Sequence, residues 1–131
     1  MTPAAKVLLA GFVFAVAGTC AKPAPPPPAA SPAVAFESDP AAVKRGKSLF
    51  IGMCGGYCHS LHDGARGDVP DLFDCEWKNG STDQQIFDAI ANGVPNTRMV
   101  GMKKLMPDGD TDIWKLVAFL RVDSDCKKPP S

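Results

Sequence analysis

Apolar residues recur at helical spacing in three stretches of the chain, with polar residues between them. The first stretch follows Asp39-Pro40, where Asp39 can cap a helix and Pro40 suits the first helical position, because proline lacks the N–H that would be unpaired there. The helix is predicted to run to about Gly52. Its apolar face consists of Val43, Gly46, Phe50 and Ile51. A glycine inside a helix costs about 1 kcal/mol relative to alanine, so Gly46 predicts a close crossing with another helix.

The second helix is predicted to begin at Ser81-Thr82-Asp83-Gln84, which has the Ser-x-x-Gln pattern of a capping box, and to end at Asn92-Gly93. Its apolar positions are Ile86, Phe87, Ile90 and Ala91. The third helix begins between Asp108 and Thr111, where early aspartates complement the positive helix end, and continues to Arg121. Its apolar positions are Ile113, Trp114, Leu116, Val117, Phe119 and Leu120. We expect the first and third of these helices to pack together.

The N-terminal residues have the pattern of a targeting segment rather than of a folded domain. Residues 1–19 are typical of an export signal, with Lys6 in the positive region and an apolar run from Val7 to Val16 that is too short to span a membrane. Ala17-Gly18-Thr19-Cys20 resembles the lipobox of bacterial lipoproteins, although Thr19 matches it poorly, and Ala15-Val16-Ala17 would suit an ordinary signal peptidase. Acylation of Cys20 is the alternative that we favour.

A proline-rich segment follows Cys20 and supports that preference. Residues 21–35 contain six prolines and no large apolar residue except Val34. Such a segment favours the extended polyproline conformation, so it could reach roughly 45 Å. We interpret residues 20–37 as a tether and residues 38–131 as the folded domain; the alternative is an extension without a role.

Charge narrows the range of partners. The chain has 14 acidic and 14 basic residues, but Lys6 and Lys22 precede the predicted domain, so the net charge from Glu37 onward is −2. This argues against nucleic acid as a partner.

The most informative motif is Cys54-Gly55-Gly56-Tyr57-Cys58-His59. Two cysteines followed directly by histidine are typical of covalent haem attachment, in which each thiol adds to a vinyl group and the histidine binds the iron. The usual spacing is one residue shorter, and we expect Gly55 and Gly56 to absorb the extra residue through their conformational freedom. A redox dithiol would need a thioredoxin-like βαβ pattern, and a zinc site would need a second close cysteine pair. Neither is present in the sequence.

Two further kinds of candidate ligand lie downstream. His62 is in a polar segment, Ser60 to Val69, without helical or strand periodicity, and we interpret it as a solvated loop side chain rather than an iron ligand. Three methionines, Met99, Met102 and Met106, lie in or after an irregular segment that begins at Gly93. Each could instead simply pack in the interior.

In their order along the chain, these features resemble the small monohaem class I cytochrome c family over about residues 38–122. The resemblance rests on the first helix, the cysteine motif, Pro70 and Leu72, the Gly-Val-Pro-Asn-Thr-Arg-Met segment 93–99, and the last helix. It implies an all-α cytochrome c fold, with three main helices and loops wrapped around one covalently bound haem c.

The resemblance also implies roles for individual residues. Cys54 and Cys58 would carry the haem, and His59 would bind the iron. Met99 would be the second axial ligand, with Met102 as the alternative; a thioether favours ferrous iron and raises the potential. The remaining residues implied at the haem pocket are Pro70, Leu72 and Trp77. The Pro70 carbonyl would accept the free N–H of His59. For Trp77 and Trp114 we favour a role in the core over a role in the chemistry of the site. Gly46 and Phe50 would meet Leu116 and Phe119 at the crossing of the terminal helices.

Two cysteines then remain unassigned. A Cys75–Cys126 disulfide would close a loop of about 50 residues and stabilise the chain by roughly 4 kcal/mol on the chain-entropy estimate. Two unpaired thiols are the alternative.

We therefore predict a monomeric electron carrier in the periplasm rather than an enzyme. Both axial sites of its iron would be filled, and Cys20 would supply a lipid anchor. Its expected donor is a periplasmic dehydrogenase, such as a quinoprotein, and its acceptor an oxidase or another cytochrome. Arg98, Lys103 and Lys104 could form a basic rim that steers an acidic partner. The alternative is a small haem enzyme or sensor, a peroxidase or gas binder, with an open sixth site.

Overall fold

The computed structural model describes residues 29–124. Its helices are α1 (Pro32–Glu37), α2 (Pro40–Leu49), α3 (Asp83–Asn92) and α4 (Gly109–Asp123), with a π-helical turn at Phe50–Cys54 and a 3₁₀ turn at Lys103–Leu105. Within these residues there is no β-strand, only two isolated bridges, Arg66 with Val69 and Gly93 with Val100. The domain is therefore helical, as predicted. The predicted signal segment, Cys20 and Cys126 lie outside the described residues.

The first predicted helix is present, but it changes character near its end. Asp39 caps α2 by accepting a hydrogen bond from the Ala41 N–H at 2.9 Å, and Pro40 occupies the first turn. The regular α-helix ends at Leu49, and a π-helical turn continues to Cys54, with the Gly55 N–H donating to the Phe50 carbonyl at 2.7 Å. Such turns widen the helix and are frequent at functional sites.

Helices α2 and α4 cross at Gly46, as the sequence predicts. A Cβ atom on Gly46 would lie 2.1 Å from the Lys115 carbonyl oxygen and 2.8 Å from the Cβ of Phe119. Next to this crossing the rings of Phe50 and Phe119 are 5.7 Å apart, and both are fully buried. Glycine is therefore required at this crossing because the two backbones almost touch.

An ion pair fastens the same two helices. Asp112 is fully buried and accepts two hydrogen bonds from Arg45, at 3.0 Å from Nε and 2.8 Å from Nη2. It also accepts the Asp108 N–H at 3.0 Å. These hydrogen bonds, that of Arg45 foremost, hold the pKa of Asp112 below its usual value despite burial.

The predicted tether is too long at its C-terminal end. Residues 32–37 form α1, in which Ala33 is fully buried and Phe36 packs against the core. A lack of large apolar side chains does not exclude core packing, because the small side chain of alanine fits against α4. The folded part thus begins before residue 38.

The start of α3 differs by one residue from the prediction. Thr82, rather than Ser81, is the cap: its side chain accepts the Gln85 N–H, and the Gln85 side chain accepts the Thr82 N–H. Gly93 ends the helix with φ of +79°. Helix α4 begins inside the predicted interval and runs to Asp123. None of the helices in residues 29–124 has the length and apolarity needed to cross a bilayer.

Candidate functional site

A largely apolar cavity of about 390 Å³ lies beside the cysteine motif. This volume falls in the range typical of small-molecule and cofactor sites, roughly 300–1,000 Å³. Four parts of the chain line it: the end of the motif, the loop 68–72, the segment 76–80 and the segment 94–99, with α3 and Leu120 of α4 behind them. The predicted site residues among the lining are Cys58, His59, Pro70, Leu72, Trp77 and Met99.

His59 is held in one orientation in the cavity wall. Its side chain is buried, and its Nδ1 lies 3.1 Å from the Pro70 carbonyl oxygen, which can only accept. Nδ1 therefore carries the hydrogen, and among the described residues no hydrogen bond is made by Nε2. Burial lowers the pKa of His59, partly offset by the Pro70 hydrogen bond. A lowered pKa favours the neutral imidazole, the form that binds metals, and the hydrogen bond to Pro70 makes Nε2 the nitrogen that could bind one.

The two cysteines of the motif occupy different surroundings. Cys58 is half-buried and lines the cavity, whereas Cys54 lies in the hydrophobic core and is not among the lining residues. Burial raises the pKa of the Cys54 thiol to about 11. Neither cysteine forms a disulfide, and the loop between them projects outward, with Tyr57 99% exposed. Cys54 would have to turn away from the core to face the cavity.

Our explanation for the extra residue in the motif was wrong. Gly55 has φ of −76°, in the ordinary right-handed region, and Gly56 is not among the residues with positive φ. A Cβ atom on Gly56 would meet nothing within 4 Å. The longer motif is instead closed by a hydrogen bond from the His59 N–H to the Cys54 carbonyl at 3.0 Å, an i→i+5 bond that spans one residue more than an α-helical one.

Of the three methionines, Met99 alone lines the cavity. Its carbonyl accepts the Val94 N–H at 2.9 Å, and its own N–H donates to Thr97 Oγ1 at 3.1 Å. Gly93 must be glycine here, because it has φ of +79° and a Cβ atom would lie 2.6 Å from the Met99 carbonyl oxygen. Met102 packs against the core, and Met106 is buried in it.

The tryptophans have separate roles. Trp114 stacks on Phe87 with ring centroids 4.3 Å apart, in agreement with a core role. Trp77 lines the cavity and packs against the core, and the guanidinium carbon of Arg121 lies 5.4 Å from its ring centroid.

His62 does not line the cavity, but it is not simply solvated. It has φ of +63°, its ring centroid lies 4.4 Å from that of Phe73, and its Nε2 lies 2.8 Å from an Asp123 carboxylate oxygen. His62 therefore joins the loop after the motif to the end of α4.

The predicted basic rim is largely neutralised. Arg98 pairs with Asp68, and Lys103 lies 2.9 Å from Asp110. Of the three predicted rim residues, only Lys104 forms no ion pair within residues 29–124. A strong positive field at this edge is therefore not expected.

The described residues contain no group of three or more His, Cys, Asp or Glu side chains that could hold a metal ion. Cys75 is disulfide-bonded, and because Cys126 lies outside the described residues, the pairing of these two cysteines stays a prediction.

The side chains present fit a haem. The apolar cavity suits a porphyrin, and a buried histidine beside a cysteine and a thioether on the same cavity suit its two axial positions. Sequence reasoning missed several wall residues: Ile86, Ala89, Ile90, Val94 and Leu120. Helical spacing identified Ile86, Ile90 and Leu120 as core positions, but it could not separate the cavity wall from the rest of the core.

Comparison with known proteins gives one family. The family model described as "Cytochrome C oxidase, cbb3-type, subunit III" matches residues 41–120, which is more than half of the chain. No curated protein and no solved structure matches.

Proposed function

Because this chain belongs to the cytochrome c family described as cytochrome c oxidase, cbb3-type, subunit III, and thus carries covalently bound haem c, we propose that it transfers single electrons between two redox proteins. The haem supplies the one-electron ferric/ferrous couple. Membership of this family does not make the chain a subunit of the oxidase named in the description. An oxidase is one class of protein that could accept its electrons.

The observation that carries the proposal is the pairing of His59 and Met99 on one cavity. His59, oriented by the Pro70 carbonyl, is proposed as the first axial ligand, and Met99 as the second, with Met102 as the alternative. Two protein ligands would leave no position on the iron for a substrate. A site closed in this way suits electron transfer rather than catalysis, which requires an open position.

Cys54 and Cys58 are proposed to bind the haem as thioethers. Each S–H adds across one vinyl C=C bond, so no oxidant is consumed. Leu72 and Trp77 supply apolar wall, and Pro70 fixes the tautomer of His59. Together these residues exclude water and hold the ligands, which keeps rearrangement on electron transfer small.

The cellular setting is also a proposal. Residues 1–19 support export to the periplasm, where haem attachment is completed, and Cys20 supports an acyl anchor that precedes the proline-rich segment. A Cys75–Cys126 disulfide fits that oxidising compartment. We propose a monomer that accepts electrons from a periplasmic dehydrogenase, such as a quinoprotein, and passes them to an oxidase or another cytochrome.

The alternative of a haem enzyme or gas sensor is tested by the ferrous spectrum with and without carbon monoxide. A closed His59/Met99 site should give the same spectrum in both cases at neutral pH. Immediate and complete binding of carbon monoxide would instead establish an open sixth site and overturn the proposal.

A further inference from the structure

Arg121 joins three segments of the chain on one side of the cavity. Its side chain is only 10% exposed, and its Nε lies 2.7 Å from a carboxylate oxygen of Asp83, the first residue of α3. Its Nη2 donates to the Ser81 carbonyl, and its guanidinium carbon lies 5.4 Å from the centroid of the Trp77 ring. Ser31, at the start of α1, donates to the second oxygen of Asp83.

The segment between the two contacts of Arg121 is a wall of the cavity. Trp77, Lys78, Asn79 and Gly80 all line it. Residues 77–81 belong to no helix or strand, and their only regular feature is a single turn at Lys78 and Asn79. Arg121 contacts this wall at both ends, through the ring of Trp77 and the carbonyl of Ser81. Arg121 of α4 is therefore one of the side chains that hold this wall in position, beside the core packing of Trp77.

Resting on the proposed function, we propose that Arg121 is a positioning residue that holds the Trp77–Ser81 wall closed over the haem and thereby raises its reduction potential. Solvent exposure is one of the factors that set the potential of a haem, because water stabilises the more highly charged ferric state. Loss of Arg121 removes one contact from each end of the wall, while Trp77 keeps its packing against the core, and the loosened wall admits water to the cavity.

The geometry requires arginine rather than any cation. The guanidinium uses Nε for Asp83, Nη2 for Ser81 and its flat face for Trp77, whereas a lysine ammonium is a point charge without a planar face. Arg121→Lys retains the charge beside Asp83 and loses the planar contact with Trp77. This variant separates closure of the wall from the electrostatic effect of a nearby cation.

Arg45 provides a matched control. Like Arg121, it pairs with an aspartate through a guanidinium, and it fastens α4, but neither Arg45 nor Asp112 lines the cavity. Arg45→Gln should lower the stability of the protein without changing the potential.

The experiment compares the haem-loaded wild type with the variants Arg121→Gln, Arg121→Lys and Arg45→Gln, by redox titration and by hydrogen exchange of a peptide covering residues 77–82. Arg121→Gln should lower the ferrous-to-ferric ratio at a fixed applied potential about tenfold, equivalent to about 59 mV for one electron. It should also accelerate exchange in 77–82. Arg121→Lys should show smaller shifts in the same direction, and Arg45→Gln should show neither.

A change of less than twofold in that ratio for Arg121→Gln, a wild-type potential in Arg121→Lys, or an equal shift in Arg45→Gln would each overturn the inference. If Arg121→Gln does not fold, Arg121→Lys and the control still decide the question. A wild-type chain without covalent haem would overturn the proposed function instead, whereas a haem-loaded wild type with an unaffected Arg121→Gln potential overturns this inference alone.

Discussion

Substitution of Gly46 by alanine should destabilise the protein, although alanine is the better helix former. The added Cβ would lie 2.1 Å from the Lys115 carbonyl oxygen, 1.3 Å short of the 3.4 Å at which ordinary contact begins. It would also lie 2.8 Å from both the Lys115 carbonyl carbon and the Phe119 Cβ. None of these atoms can rotate away, so α2 and α4 must move apart.

The magnitude follows from two opposing effects. Alanine gains about 1 kcal/mol of helix propensity over glycine. Overpacking of a tight interior costs typically 1–3 kcal/mol and occasionally more, and the upper end applies here because the obstacle is backbone. We therefore expect a net loss of about 2 kcal/mol. For a domain of this size, that loss lowers the melting temperature by roughly 8–16 °C.

Urea denaturation of the haem-loaded protein, followed by far-ultraviolet circular dichroism, measures the loss. Gly46→Ala should lower the midpoint while the slope of the transition stays the same. Gly52→Ala is the control, because a Cβ atom there meets nothing within 4 Å; it should change stability by about 0.5 kcal/mol or less. A Gly46→Ala protein as stable as the wild type would refute the close crossing of the two helices.

Three further outcomes are expected. Asp112→Asn should destabilise the domain by about 1.5–3 kcal/mol near neutral pH, because it weakens the hydrogen bonds with Arg45. The pKa of Asp112 is lowered in the folded state, so its contribution to stability is complete above the unfolded carboxyl pKa of about 3.9 and is lost as pH falls through the folded pKa. Denaturation curves of the variant and the wild type should therefore converge in acid. A stability difference that stays constant with pH would contradict this. Acid-acetone extraction followed by mass spectrometry should leave haem on the wild type and on either single variant, Cys54→Ala or Cys58→Ala, but not on the double variant; loss from the wild type would show that the thioethers are absent. Cys20→Ser should move the protein from the membrane fraction to the soluble fraction, and an unchanged distribution would exclude the acyl anchor.

Local sequence signals predicted those parts of the fold that depend on neighbouring residues. Asp39-Pro40 predicted the start of α2, because a capping carboxylate and a proline act within one turn. Gly46 predicted the crossing with α4, since an interior glycine is costly unless something approaches closely. The hydrogen bond between His59 and Pro70 came from the family resemblance rather than from spacing, and it is present at 3.1 Å.

The parts that sequence did not predict depend on contacts between distant residues. Helix α1 packs because α4 offers a place for Ala33, and no local pattern in a proline-rich and alanine-rich segment indicates that. The Arg121 contacts join residues about 40 positions apart, which periodicity cannot identify. The π-helical turn before the second cysteine of the motif was missed for a different reason: a single residue of widening leaves no signature in hydrophobic spacing.

The central claim is a closed site with His59 and Met99 as its two ligands, and the visible spectrum of methionine variants tests it most directly. Thioether ligation of ferric haem gives a weak sulfur-to-iron charge-transfer band in the far-red region. The wild type should show this band, and Met99→Ala should lose it, have a lower reduction potential and bind carbon monoxide in the ferrous state. Met102→Ala is the matched control, because Met102 does not line the cavity, and it should retain the band. A wild type without the band, or a Met99→Ala protein that keeps it, would contradict the proposed ligand and with it the closed electron-transfer site.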